Sequence, residues 1–257
     1  MIYCLKLLVI GLVTLPLCLL IVLLAPFERK GKLAYPIGRL WTWTILKTGG
    51  IRLRVRGLDR LDPSRPYVFI ANHQSHLDIP VLMHALPPFQ LRWMAKKQLA
   101  YVPIFGWALW ASRHILVDRI DRGSAMASFR KAREKIADGI SVVIFPEGTR
   151  SSGGHVLPFK RGGFLLAAKT ITPIVPVTIN GSWSLLPRGD WRVRAGEIEV
   201  IVDEPIPVGR YDGRKVSALV TRVRDMIESH SRDGVRPYTN NSEHAPARAA
   251  QDSLELG

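Results

Sequence analysis

Between Leu7 and Phe27 the chain runs for 21 residues without one charged side chain. A helix of about 20 apolar residues is long enough to cross the hydrocarbon core of a bilayer. Lys6 precedes the run, and Glu28, Arg29, Lys30 and Lys32 follow it. A cleaved signal peptide is the competing reading. It fits less well, because signal cores are about 7–15 residues and end in a small-residue cleavage site, whereas this run ends Leu24-Ala25-Pro26-Phe27. Pro16 lies mid-run and can kink a helix, so a segment that dips into one leaflet is the alternative to one that spans. Positive charge is denser after the run, which places the rest of the chain on the cytoplasmic side (the inner membrane's inner face, in a bacterium).

A second segment, Tyr35 to Thr48, carries Tyr35, Trp41 and Trp43. These are residues of the lipid–water interface, and the segment reads equally as an interfacial helix or as an ordinary core helix. The chain holds 36 Lys and Arg against 21 Asp and Glu, a formal net charge of +15. That excess suits nucleic acid, an anionic membrane or a phosphorylated substrate. Cys4 and Cys18 are the only cysteines, so neither a disulfide framework nor a CxxC metal site is available to the remainder.

From Ile51 onward strands alternate with helices. Ile51, Leu53 and Val55 interleave with Arg52, Arg54 and Arg56, a strand with one wet face. Short apolar runs at 67–71, 91–95, 115–117, 141–145, 174–179 and 197–202 read as further strands. Helical spacing marks 77–86, 124–137, 162–170 and a last amphipathic helix with Val216, Leu219, Val220, Val223 and Ile227. This order predicts an α/β layer fold with a substantial sheet. The chain divides into an anchor at 1–50 (hydrophobic helix 7–27, Trp-rich segment 35–48), a catalytic domain at 51–235, and a polar tail at 236–257 expected to be disordered.

Ligands of α/β sheets collect where strands end. The run ending at Ala71 passes into Asn72-His73-Gln74-Ser75-His76-Leu77-Asp78. A histidine followed five residues later by an aspartate at a helix start can pair with it; the carboxylate fixes the imidazole tautomer and the histidine serves as general base. No G-x-S-x-G elbow accompanies it, so the nucleophile is read as an alcohol on the substrate. Helix capping by Ser75 or Asp78 and a zinc site on His73, His76 and Asp78 are rival readings. His84, His114 and His155 read as surface or structural. The strand ending at Phe145 leads into Pro146-Glu147-Gly148-Thr149-Arg150-Ser151, where backbone N–H groups and a guanidinium can cradle phosphate. The stretch Pro158 to Gly163 then opens a helix whose positive end can help. Arg119, after the strand Ile115 to Val117, can reach the same rim.

Taken together, NHQSHLD at 72–78, ILVDR at 115–119, FPEGTRS at 145–151 and IVPVTI at 174–179 resemble the four blocks of the lysophosphatidic acid acyltransferase family, the 1-acylglycerol-3-phosphate O-acyltransferases. The resemblance covers about Leu53 to Pro207, and Leu116 stands where the family commonly has an aromatic. It implies a glycerolipid acyltransferase-like mixed sheet flanked by helices, behind the membrane-anchoring helical segment. It also implies roles. His73 of the H-x4-D motif deprotonates the sn-2 hydroxyl of lysophosphatidic acid and Asp78 orients it. Arg119, Glu147, Gly148, Thr149 and Arg150 match the acceptor-phosphate residues, and Lys97 assists them; Pro176 matches the fourth block's proline. Acyl-CoA or acyl carrier protein supplies the acyl group as a thioester co-substrate, with no metal and no further cofactor. The partners are then membrane lipids and these two substrates, not nucleic acid. Glycerol 3-phosphate or another lysolipid is the alternative acceptor. A membrane-anchored nucleic-acid-binding protein and a catalytically dead lipid-binding scaffold are the alternatives from other classes; no nucleic-acid-binding motif supports the first.

Overall fold

The computed structural model describes residues 2–27, 30–117, 122–209 and 213–232. The alternating segment forms β1 (Ile51–Arg56): Arg52, Arg54 and Arg56 face solvent, while Ile51, Leu53 and Val55 turn to the core. The apolar runs form β2 (Val68–Ala71), β5 (Ser141–Ile144) and β6 (Ile174–Asn180), each buried along its whole length. Near-continuous apolar strands suit parallel pairing with both faces covered. With β3 (Leu91–Lys96), β4 (Ile115–Val117) and β7 (Gly196–Val202) they make a seven-stranded sheet in the order β1-β7-β6-β2-β5-β3-β4. Strands β2 to β6 pair in parallel, whereas β7 runs antiparallel to β6 and parallel to β1. Pairing of β6 with β7 starts at Val177, beside Pro176, which has no N–H to add to a ladder; Asp203 N donates instead to the Pro176 carbonyl at 3.0 Å.

Strand alternation sorts the core onto two faces. Phe69, Val143, Val177 and Ile179 share one apolar cluster with α2 (Ala34–Gly49) and α3 (Asp78–Ala85). Val68, Ile70, Val142 and Ile144 meet α5 (Arg122–Ala137), α6 (Gly162–Thr170) and α8 (Gly213–His230) on the other.

The first helix, α1 (Ile2–Leu24), starts five residues before the uncharged run and continues through Pro16; a single 3-10 turn follows at Ala25–Phe27. Lys6 does not end it, because its ammonium folds back to donate to the carbonyls of Gly49 (3.2 Å) and Val193 (3.1 Å). Helix α1 lies against α2 as a hairpin. Trp41 Nε1 donates to Thr14 Oγ1 at 2.9 Å. Farther along, Cys18 and Ile21 pack on Ala34 and on Ala108 and Ala111 of α4 (Phe105–Ala111). The outer face of α1 is a row of exposed leucines: Leu5, Leu8, Leu12, Leu15, Leu19 and Leu23. The hairpin turn is fastened by Arg92, 1 % exposed, which donates to the carbonyls of Lys30 (3.1 Å), Gly31 (2.9 Å) and Leu91 (2.9 Å).

Helix α2 packs one side into the core and leaves apolar side chains exposed on the other. Tyr35 and Leu46 enter the main core, and Tyr35 OH donates to Phe89 O at 2.7 Å. Leu40 and Trp43 stay exposed. The 236–257 tail lies outside the described residues.

Candidate active site

The site forms where β2 stops. Asn72 continues the sheet with its side chain: Nδ2 donates to Ile179 O at 2.9 Å and Oδ1 accepts from Ile179 N at 2.8 Å. This clamps the start of the loop to β6. Ser75 Oγ donates to Leu186 O (2.8 Å) and accepts from Leu77 N (3.1 Å), which pins the loop's middle.

Asp78 opens α3, and its carboxylate is fully buried. Its Oδ2 accepts three bonds, from His73 Nδ1 (2.8 Å), Gln74 N (2.8 Å) and Ser75 N (2.9 Å). The loop therefore curls round one carboxylate oxygen, at the helix end where negative charge is favoured. Because a carboxylate only accepts, His73 Nδ1 carries the proton and Nε2 presents its lone pair. The His73 side chain remains 17 % exposed, and no described hydroxyl or thiol bonds to Nε2. The ring lies on Phe145, centroids 4.0 Å apart and planes 14° from parallel. That contact leaves the imidazole little freedom to rotate.

Strand β5 neighbours β2, which sets Pro146 to Ser151 beside this loop. The sequence reading puts Glu147 with the acceptor-phosphate residues. The structure places its carboxylate inside, 4 % exposed, where Oε1 accepts from His73 N (2.8 Å) and Oε2 from Leu157 N (3.3 Å). Burial pushes its pKa up to about 8, with the Asp78 charge adding to the rise and the two N–H donors opposing it. Ser151 N closes the arrangement by donating to His73 O at 2.9 Å. His73 is thus held at its ring, its N–H and its carbonyl.

Gly148 takes φ +75°, the left-handed conformation that favours glycine, and turns the loop so that Thr149 is exposed and Arg150 half-buried. Partial desolvation and the neighbouring Arg188 lower the Arg150 pKa, which the Asp78 charge raises. Arg188 Nη1 also donates to Arg150 O at 3.3 Å. The close surroundings of the His76 ring and the Arg150 charge push the His76 pKa down. Arg150, Arg188 and a neutral His76 therefore share the rim beside His73.

Among the described residues no group of three His, Cys, Asp or Glu side chains is placed to hold a metal ion. His84 Nε2 donates to Arg39 O at 3.1 Å. His114 Nδ1 accepts from Trp93 N at 3.3 Å, with a pKa pushed down to about 3 by burial and by Arg92.

With this geometry in place, comparison with known proteins is decisive for the family: the model of the Acyltransferase family matches residues 52–180, half of the chain. The chain belongs to this family. A 1-acyl-sn-glycerol-3-phosphate acyltransferase of Chlamydomonas reinhardtii is 34% identical over 203 residues, which are 76% of this chain and 60% of the relative. The human 1-acyl-sn-glycerol-3-phosphate acyltransferase alpha is 37% identical over 176 residues, 68% of this chain and 62% of its own length. The chain thus spans about three-fifths of these relatives. The fold is that of the 1-acyl-sn-glycerophosphate (LPA) acyltransferase PlsC of Thermotoga maritima. That crystal structure superposes with a TM-score of 0.72 at 23% identity, covering 89% of this chain and 92% of the other.

In this acyltransferase-family chain the structure brings His73, Asp78, Glu147, Gly148, Thr149 and Arg150 to one strand edge. Lys97 is exposed in the turn after β3, at the same end of the sheet, with β5 between β3 and β2. Arg119 lies outside the described residues. Sequence reasoning missed Arg188. A lone arginine in Leu186-Pro187-Arg188-Gly189 carries no local signal, and it reaches Arg150 only through the connection from β6 by way of α7 (Ser182–Leu185).

Proposed function

We propose that the protein transfers a fatty acyl group from an acyl thioester to the free sn-2 hydroxyl of lysophosphatidic acid, giving phosphatidic acid. The observation that carries this is the His73–Asp78 pair at 2.8 Å, with Nε2 open and, among the described residues, no hydroxyl or thiol bonded to it. A base without its own nucleophile suits an acceptor that brings one. The names of the relatives and the cationic rim at Arg150 and Arg188 support lysophosphatidate as that acceptor.

His73 Nε2 takes the proton of the acceptor hydroxyl as its oxygen attacks the thioester carbonyl carbon. The carbonyl π electrons move onto oxygen, and Asp78 stabilises the imidazolium formed. When the carbonyl is restored the C–S bond breaks, and the departing thiolate takes its proton from His73. Arg150 and Arg188, with Lys97, bind the acceptor phosphate and align the hydroxyl with Nε2. Arg119, by its motif, is assigned to the same task. Glu147 positions His73 through its main chain. Coenzyme A or acyl carrier protein is the leaving thiol, and no metal or bound cofactor takes part. The exposed leucines of α1, with Leu40 and Trp43 of α2 and Trp107 and Trp110 of α4, lie in one leaflet and hold the site at the lipid surface.

The test is acyl transfer by purified protein in mixed micelles. Lysophosphatidate and glycerol 3-phosphate are offered separately, each with acyl-CoA and with acyl carrier protein. Transfer to lysophosphatidate is expected; transfer to neither acceptor overturns the reading, and transfer to glycerol 3-phosphate alone reassigns the acceptor.

A further inference from the structure

The +15 charge is not all gathered at the active site or on the apolar side of the molecule. Helices α1, α2 and α4 stack on one face of the sheet, and α5 and α6 cover the opposite face. Between α5 and α6 runs a groove of about 260 Å³. Its floor is Phe129 and Leu166; its rim is Arg130, Arg133, Lys169 and Thr170. The three cations are exposed and form no ion pair with any described residue. Lys131, also exposed, adds to them, and Glu134 is the one acid among the described side chains of α5. An apolar floor between free cations is the complement of an amphipathic helix with an acidic flank. An anionic lipid surface is the less fitting occupant, because this rim lies across the sheet from the leucine face of α1.

We infer that the α5–α6 groove docks an acidic helix of a carrier protein that bears the acyl thioester. This rests on the acyl-transfer reading, which requires a thioester donor and so supplies a reason for one acidic protein in particular to come here. Helix α6 starts at the catalytic edge, where Lys160 N donates to Pro146 O, and Lys169 lies about 10 Å farther along its axis at 1.5 Å per residue. Because β5 and β6 are parallel, this carries the groove away from the edge that holds His73, so a carrier seated there reaches the site with an extended thioester arm. Coenzyme A, as a free thioester, needs no such seat.

The experiment compares the wild type with the triple variant Arg130→Glu, Arg133→Glu, Lys169→Glu, surface changes outside the catalytic and acceptor machinery. Kinetics with acyl carrier protein and with acyl-CoA are measured in mixed micelles, alongside binding of fluorescently labelled carrier protein. The KM for acyl carrier protein should rise about tenfold in the variant and labelled-carrier binding should be lost, while kcat and KM with acyl-CoA stay unchanged. Retained activity with acyl-CoA shows that the variant folds and leaves the acyl-transfer reading standing. Three results overturn the docking site: carrier binding that is absent in the wild type or survives in the variant, an equal rise in KM for both donors, or a loss confined to association with anionic vesicles. If neither donor is used even by the wild type, the acyl-transfer reading fails, and the binding measurement still decides the groove.

Discussion

At the scale of single residues, the loop is built so that one imidazole nitrogen is committed and the other is free. Asp78→Asn leaves the shape but offers His73 Nδ1 an amide that can present its own N–H, which breaks the tautomer logic. We expect His73→Ala and Asp78→Asn each to lower kcat by about 10²–10⁴ with little change in KM; Asp78→Asn also lowers the urea midpoint, because Gln74 N and Ser75 N share the oxygen that is replaced. Near-normal turnover in His73→Ala would remove it as the base. Arg150→Ala and Arg188→Ala are expected to raise the acceptor KM several-fold each, and less than multiplicatively together because they share one phosphate; an acceptor KM unmoved by Arg188→Ala would take that residue out of the site. Glu147 contributes to the pH response. Its carboxyl keeps its proton up to about pH 8 in the folded chain, against an ordinary value of 4.5. Folding therefore takes up a proton between these limits, and this group's stabilisation is full below about pH 4.5, declines as pH rises, and is gone above about 8. Glu147→Gln keeps an acceptor for His73 N and cannot titrate. Urea midpoints at pH 5.5 and 8.5 should converge in the variant relative to the wild type; an unaltered difference would show that Glu147 does not titrate in that window.

At the scale of elements, Asn72 does a strand's work with a side chain. Asn72→Ala leaves the buried Ile179 N–H and carbonyl without partners, and each such group costs about 1–3 kcal/mol. The expected outcome is a clear loss in urea-unfolding free energy together with lowered kcat, since the clamp immediately precedes His73. A variant as stable as the wild type would show that water or a neighbour takes over. Most strands were legible from alternation and burial patterns, because a strand's period shows in its own residues: the runs at 51–56, 174–179 and 115–117 all reappear as strands. Helix α4 was not, since Phe105–Ala111 is too short for a period to emerge. Nor could pairing direction be read, since it depends on how the chain enters a strand: β7 is parallel to β1 and antiparallel to β6. The same limit applies at the site. His73 and Asp78 announce themselves by spacing, whereas the inward turn of Glu147 follows from the contact between β2 and β5, and Arg188 from a loop some 40 residues past Arg150.

At the scale of the whole molecule, the leucine row of α1 and the cations lining the α5–α6 groove lie on opposite faces of the sheet. The proposed membrane contact depends on α1, whose exposed leucines form a continuous apolar row of the kind that marks an interaction surface. Leu12→Asp with Leu19→Asp should abolish sedimentation with liposomes, while transfer to a detergent-dispersed lysolipid persists. Sedimentation that survives both substitutions would move the membrane contact elsewhere.

The way α1 and α2 are seated has a consequence for how the chain is made. Lys6 waits for the carbonyl of Val193, and Ile51 in β1 pairs with Gly196 of β7. The opening quarter of the polypeptide is therefore among the last parts to find its place, as contacts of such wide sequence separation form late. Until Val193 is made, Lys6 lacks one of its two carbonyl partners, and on the proposed membrane contact the leucine row of α1 can meet a bilayer at that stage. On that proposal, contact with lipid comes before closure of the sheet, and β7 completes the fold by pairing with β1 and β6.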